Sequence, residues 1–239
     1  MKEVADGVDL EEVVIPAVCF AVCFAFQAWE FVGQHDDVAR ARALFAQVRA
    51  GWVTANYMTG QAAVNTTRDY IRAAVFFANT AILLATFTVG YAGTRYSECS
   101  GEGCSGEDWL FIIQLGVLSV LLLVIFFVFT QCTRFAVHFS FCINTKEICG
   151  VPLPHSVITK VFNHSYDYHS LGIRLYFGTI PVFAWIFTPW ALLAVTPLYV
   201  YMVRGLENLD FLRADLDELP LGSASPAVAP SQDEDQNTS

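Results

Sequence analysis

The chain has 239 residues, of which 55% are hydrophobic and 15% charged, and its formal net charge is -10. That balance excludes an ordinary soluble domain and points to an all-α, polytopic membrane protein whose main partner is the lipid bilayer. The acids gather at the termini and in one loop between apolar segments, so net charge says little about partners, and no feature points to nucleic acid.

The first stretch, MKEVADGVDLEE, carries one lysine against five acids. A secretory leader needs a basic start and a small-residue cleavage site. The apolar run that follows, about Val13 to Trp29, is therefore expected to stay as the first of four spans, each needing about 20 helical residues. Beyond it, Val38, Phe45, Val48 and Trp52 recur at helical spacing with Arg40, Gln47 and Arg49 between them. This pattern predicts an amphipathic helix at the cytosolic interface. Its arginines would meet anionic lipid, or the helix would pack on the bundle; both readings stand.

The second span, about Ala73 to Val89, is entered through an Arg-Asp-x-x-Arg cluster containing Asp69. Asn65, Arg68, Arg72, Asn79 and Thr86 follow one another at helical intervals and share a face. Near the membrane boundary an arginine snorkels, but an amide inside hydrocarbon needs a partner, so this face is expected to turn away from lipid. The loop SECSGEGCSGED then brings Cys99 and Cys104 into a short Gly/Ser-rich turn. On a non-cytosolic side the two would form a small disulfide loop; two free thiols are the alternative.

The third span, about Trp109 to Thr130, continues as helix with Gln131, Arg134, His138, Cys142 and Thr145 on one face. Two polar faces at one depth predict a cytosol-facing, cation-lined vestibule built from Arg68, Asp69, Arg72, Asn79, Arg134 and His138, with Arg174 nearby. Interhelical hydrogen bonding that merely fixes packing is the competing account. His155, His164 and His169 fall in a stretch rich in Tyr and Ser, read as a polar loop. His138 with Cys142, and His164 with Asp167, have spacings that suit two ligands, and Cys149 lies near, but no recognised metal or haem pattern is met. No cofactor is expected. The fourth span, about Tyr176 to Met202, contains Pro181, Pro189 and Pro197 and should be a bent helix. After Leu221 the Pro/Ser/acidic composition predicts a disordered tail over 222–239, leaving 1–221 as the membrane domain.

Nine of the thirteen Lys and Arg residues lie between spans one and two or between spans three and four. The positive-inside rule then makes those segments cytosolic and both termini non-cytosolic. Glycans at the Asn65 or Asn163 sequons would invert that topology.

Three stretches resemble the membrane-protein family catalogued as domain of unknown function 599. TTRDYIRAAVFFANTAILL resembles its arginine-containing entry into the second span, with Asn79 where a hydroxyl residue is usual. RFAVHFSFCIN is similar to the plant form of the third span's inner end, through Arg134, His138 and Ser140. HSLGIRLYFGTIPVFAWIFTPW resembles its Ser-Leu-Gly-Leu-Arg-x-Phe-Tyr signature and the Trp-x-Phe-Gly-Pro that follows, through Arg174, Tyr176, Phe177, Trp185 and Pro189; Thr188 departs from the glycine. The resemblance implies a four-span architecture and a eukaryotic plasma-membrane or endomembrane setting, and no activity.

No phosphate loop, zinc-protease or hydrolase motif is present, so an enzyme is not expected. The favoured reading is a small homo-oligomeric bundle that passes a small ion or solute through the vestibule. An adaptor binding protein partners through its cytosolic segments is the alternative, and a redox or lipid-modifying enzyme using the inner histidines is a third.

Overall fold

The structure, a computed structural model, describes residues 10–32, 36–58, 61–102 and 105–207. Cys104 and the tail after Leu221 lie outside them, and the chain divides at Glu207, with the second unit, Asn208–Ser239, also outside. The described residues form α1 (Leu10–Val32), α2 (Asp36–Asn56), α3 (Gln61–Glu102), α4 (Gly106–Cys142), α5 (His155–Phe187) and α6 (Pro189–Glu207). Two-residue strands β1 (Glu147–Ile148) and β2 (Val151–Pro152) pair between α4 and α5. Cys149 and Gly150 both have positive φ, as a tight two-residue hairpin turn requires.

Three helical segments are long and apolar enough to cross a membrane: Gln61–Cys99, Gly106–Cys142 and His155–Phe187. The apolar stretch of α1, Val14–Trp29, is shorter. These helices suggest a membrane protein. They outrun the apolar stretches read from the sequence. At about 1.5 Å per residue, the 42 residues of α3 and 37 of α4 reach about 63 and 56 Å, against a hydrocarbon core of about 30 Å. The Gly/Ser-rich segment between them is therefore mostly helix, and α4 starts at a complete capping box in which Ser105 and Asp108 satisfy each other's backbone donors.

The fourth stretch is not one bent span. Pro189 lacks an N–H and disfavours helical backbone at the residue before it, and Thr188 adopts an extended conformation (φ -168°, ψ 148°) that ends α5. The Thr188 hydroxyl accepts from the Trp190 N–H at 3.4 Å, and Pro189 takes the first position of α6, where its missing N–H costs nothing. The chain then reverses. A Cβ on Gly178 of α5 would lie 3.7 Å from the Tyr199 hydroxyl of α6, which only an antiparallel return allows. Upstream, the stretch read as a polar His/Tyr loop is the first half of α5.

The packing is graded along the bundle. Ala74, Ala78, Ala81 and Ala85 form the inward edge of α3 and admit Leu118, Leu122, Ile125 and Phe129 of α4 at close range. Near the β-hairpin, Val53, Ala63, Phe139, Ile143 and Ile158 join α2, α3, α4 and α5. The Tyr57 hydroxyl donates to the Thr145 carbonyl at 2.8 Å and fixes the α2–α3 connection to that end. At the other end, Cys19 of α1 packs with Trp185 and Leu192, and Phe20 meets Trp185 edge-on at 5.2 Å. Further along, the Gln27 amide donates to the Tyr199 hydroxyl, so α1 runs parallel to α6. Thus α1 begins at the end away from the hairpin and α6 finishes toward it. Placing both termini on one side followed from counting 176–202 as a single crossing, and the reversal at Thr188 removes that basis.

Candidate functional site

The helical face expected from Asn65, Arg68, Arg72, Asn79 and Thr86 exists, but all five residues are exposed on the outside of α3. The reason is the alanine edge: the smallest residues give the closest helix approach, so α3 turns Ala74, Ala78, Ala81 and Ala85 toward α4 and the polar strip away. Among the described residues Arg72 reaches only Asp69, at 3.5 Å on the exposed surface, an ion pair of little energetic consequence. The Thr86 hydroxyl is satisfied by the Ile82 carbonyl, whereas Asn79 has no side-chain hydrogen bond among the described residues. On α4, Arg134 and His138 are exposed as well. Arg174 is half-buried on α5 and engaged within the bundle. Among the described residues of one copy, then, the two polar faces do not enclose a vestibule.

What the bundle does enclose is a polar node that the sequence reading missed. The Tyr70 hydroxyl donates to the Ser165 carbonyl at 3.1 Å and lies 3.3 Å from the Cys132 sulfur. Ser165, fully buried, donates to the Cys132 carbonyl at 2.9 Å. The His169 ring lies tilted against Tyr70, centres 5.2 Å apart, and meets Phe129 edge-on. This node ties α3, α4 and α5 together, and Tyr70, Cys132 and Ser165 are hydrogen-bonded to one another, as buried polar groups must be. Elsewhere Thr88 and Ser119 share a hydrogen bond of 2.7 Å between α3 and α4, and Gln114 donates to the Trp185 carbonyl at 3.1 Å. All are interhelical polar ties of the kind that fixes packing. Steps of three or four from Tyr70 to Ala74 and from Ser165 to His169 were a legible signal, obscured because α5 was not read as helix there.

The amphipathic segment is helical, as α2, and packs on α5. Arg49 donates to the Asn163 side-chain oxygen at 2.6 Å, and its guanidinium lies 4.2 Å from the centre of the Tyr166 ring. Trp52 sits against Phe139 and Phe162. Cys99 is disulfide-bonded, while the cysteines at 19, 23, 132, 142 and 149 are free; Cys104, its expected partner, lies outside the described residues. Among the described residues no three of His, Cys, Asp and Glu converge as a metal site would need.

Residues 14–212 match the family described as "Protein of unknown function, DUF599". The chain belongs to that family. The match covers every helix discussed here except the first turn of α1, and it agrees with the resemblance seen in the three sequence stretches. No curated protein and no solved structure matches the chain. The family's description gives no reaction, so function rests on the geometry alone.

Proposed function

We propose that the protein is a multi-pass membrane protein that works as a homo-oligomer, in which copies meet along the outward polar strip of α3 and pass a small ion or solute between them. One observation carries this reading: the interior of a single copy is filled by apolar side chains and by polar groups already tied to one another, while Asn65, Arg68, Arg72, Asn79 and Thr86 stand open on its outside. Asn79 lies six residues, about 9 Å, inside the apolar stretch that begins at Ala73. An unpaired amide at that depth costs several kcal/mol, which a second copy relieves by pairing with it or by enclosing water. The arginines at the mouth of the strip favour an anionic solute.

In this reading α1, α3, α4 and the α5–α6 hairpin lie in the bilayer. The β-hairpin end faces the cytosol, because Arg49, Arg68, Arg72, Arg134, Lys146 and Lys160 belong to it, and the disulfide-bonded Cys99 belongs to the other side. A plasma-membrane or endomembrane location fits such an arrangement.

The test is native mass spectrometry from mild detergent together with anion flux into proteoliposomes. The wild type should be an oligomer that conducts. Asn79→Leu should weaken assembly or change flux while each copy keeps its helicity. A wild-type monomer with no flux, or flux untouched by Asn79→Leu, refutes the proposal.

A further inference from the structure

A groove of about 410 Å³ opens between α4 and α5, lined by Phe135, Lys160, Val161, Asn163, His164 and Asp167. Its floor is aromatic. Phe135 stacks on Tyr168 with ring centres 5.5 Å apart, and His164 meets Phe135 edge-on at 4.6 Å. Its rim is cationic, because Lys160 is exposed on α5 and the Arg134 guanidinium of α4 lies 5.9 Å from the centre of the Phe135 ring; His164 is exposed beside them. Asp167 is the one carboxylate in the lining among the described residues.

Depth decides what such a groove meets. The apolar stretch of α4 ends at Thr130, and the contacts of Phe135 with His164 and Tyr168 set Leu171 of α5 at about the same level. Phe135 and His164 lie five and seven residues beyond those limits, about 8 and 10 Å along the axes. The polar layer of a bilayer leaflet is on the order of 5–8 Å thick, and helix tilt brings the two figures closer. The groove therefore opens at the outer edge of that layer, within side-chain reach of lipid phosphates. Two turns deeper on the same helix faces, seven residues from Arg134 and from His164 respectively, Phe127 and Leu171 are exposed. A cationic, aromatic lip that continues into an apolar outer face fits an amphiphile rather than a free anion.

We infer that this groove is a binding site for an anionic phospholipid, its phosphate held by Lys160 and Arg134 with the His164 ring beside it and its acyl chain lying along Phe127 and Leu171. The site depends on the chain spanning a membrane and not on the α3 strip, so it stands or falls separately from oligomeric conduction. Asp167 limits affinity by repelling the same phosphate.

The test is retention of lipid after purification from vesicles of phosphatidylcholine mixed with phosphatidic acid, read by native mass spectrometry. The wild type should retain phosphatidic acid over phosphatidylcholine by about tenfold. Arg134→Glu with Lys160→Glu should abolish that preference, and Asp167→Asn should raise it several-fold. Arg68→Glu with Arg72→Glu, on exposed α3 positions, should leave it intact. Soluble glycerol phosphate at the same concentration should not compete. Equal loss from the α3 pair means surface charge alone, competition by glycerol phosphate means a free-anion site, and no lipid preference in the wild type means no site; each overturns the inference.

Discussion

Gly172→Ala tests how tightly α5 is seated against α4. A Cβ placed on Gly172 would lie 2.8, 2.9 and 3.0 Å from three ring carbons of Phe129. Carbon atoms prefer about 3.5–4.0 Å, so the ring must retreat by roughly 0.5–1 Å. It has nowhere to go, being fully buried, stacked on Phe77 at 5.2 Å and touched edge-on by His169. Overpacking of this kind costs about 1–3 kcal/mol, and the helix propensity gained on replacing Gly offsets about 1 kcal/mol of it. Gly178, on the same helix, is the internal control: its added Cβ would lie 3.7 Å from the Tyr199 hydroxyl, an ordinary contact, so only the propensity gain remains. Gly172→Ala should therefore be less stable than Gly178→Ala by about 1–3 kcal/mol, measured by denaturant unfolding in micelles with circular dichroism. Adding Phe129→Leu to Gly172→Ala should recover part of the loss. Equal stabilities for the two alanine variants would refute the reasoning, because the close approach to Phe129 would then carry no energy.

Tyr70→Phe removes a hydroxyl that donates to the Ser165 carbonyl, and should cost about 0.5–1.5 kcal/mol in the same unfolding assay; an unchanged midpoint would remove the node from the forces that hold α3 on α5. The thiols should separate by accessibility to a maleimide: Cys149 reacts in the folded protein, the buried Cys19 and Cys132 only on unfolding, and Cys99 only after reduction. Rapid labelling of Cys132 in the native state would contradict its burial. Arg49→Ala should speed amide hydrogen exchange across Asp36–Asn56 while leaving the middle of α4 protected, since it removes the hydrogen bond to Asn163 and the contact with Tyr166. Exchange in α2 that does not change would place its anchoring entirely in the Trp52 cluster.

The helical class, the apolar cores of α3 and α4, and the α2 helix were legible because each has composition and a helical period that few other structures satisfy. The reversal at Thr188 was not, and the reason is local. The chain has two Thr-Pro pairs in this region, Thr188-Pro189 and Thr196-Pro197. In the first the hydroxyl turns forward to cap a new helix. In the second it bonds back to the Leu192 carbonyl at 2.8 Å, and the helix continues. Both pairs satisfy the same stop signal, and only tertiary packing chooses between them. The candidate site shows a similar limit. Spacing placed Arg68, Arg72 and Asn79 on one face, but which face of a helix meets its neighbour depends on where the small residues lie, and Ala74, Ala78, Ala81 and Ala85 had drawn no notice. The polar node is hidden for a related reason: the Tyr/Ser/His composition around Ser165 and His169 reads as loop, whereas the segment is helix.

The unbroken length of α4 has a mechanical consequence. Between Gly106 and Cys142 no proline interrupts it, so the part within the apolar layer and the part that joins the hairpin-end cluster form one stiff rod about 56 Å long. A rotation of only about 5° about one end moves the other by about 5 Å, close to the one-turn rise of a helix. Whatever grips the rod beside Phe139 and Ile143 therefore sets the tilt of Gln114 and Ser119 at its far end, and the two surfaces of the molecule answer to each other without any hinge between them.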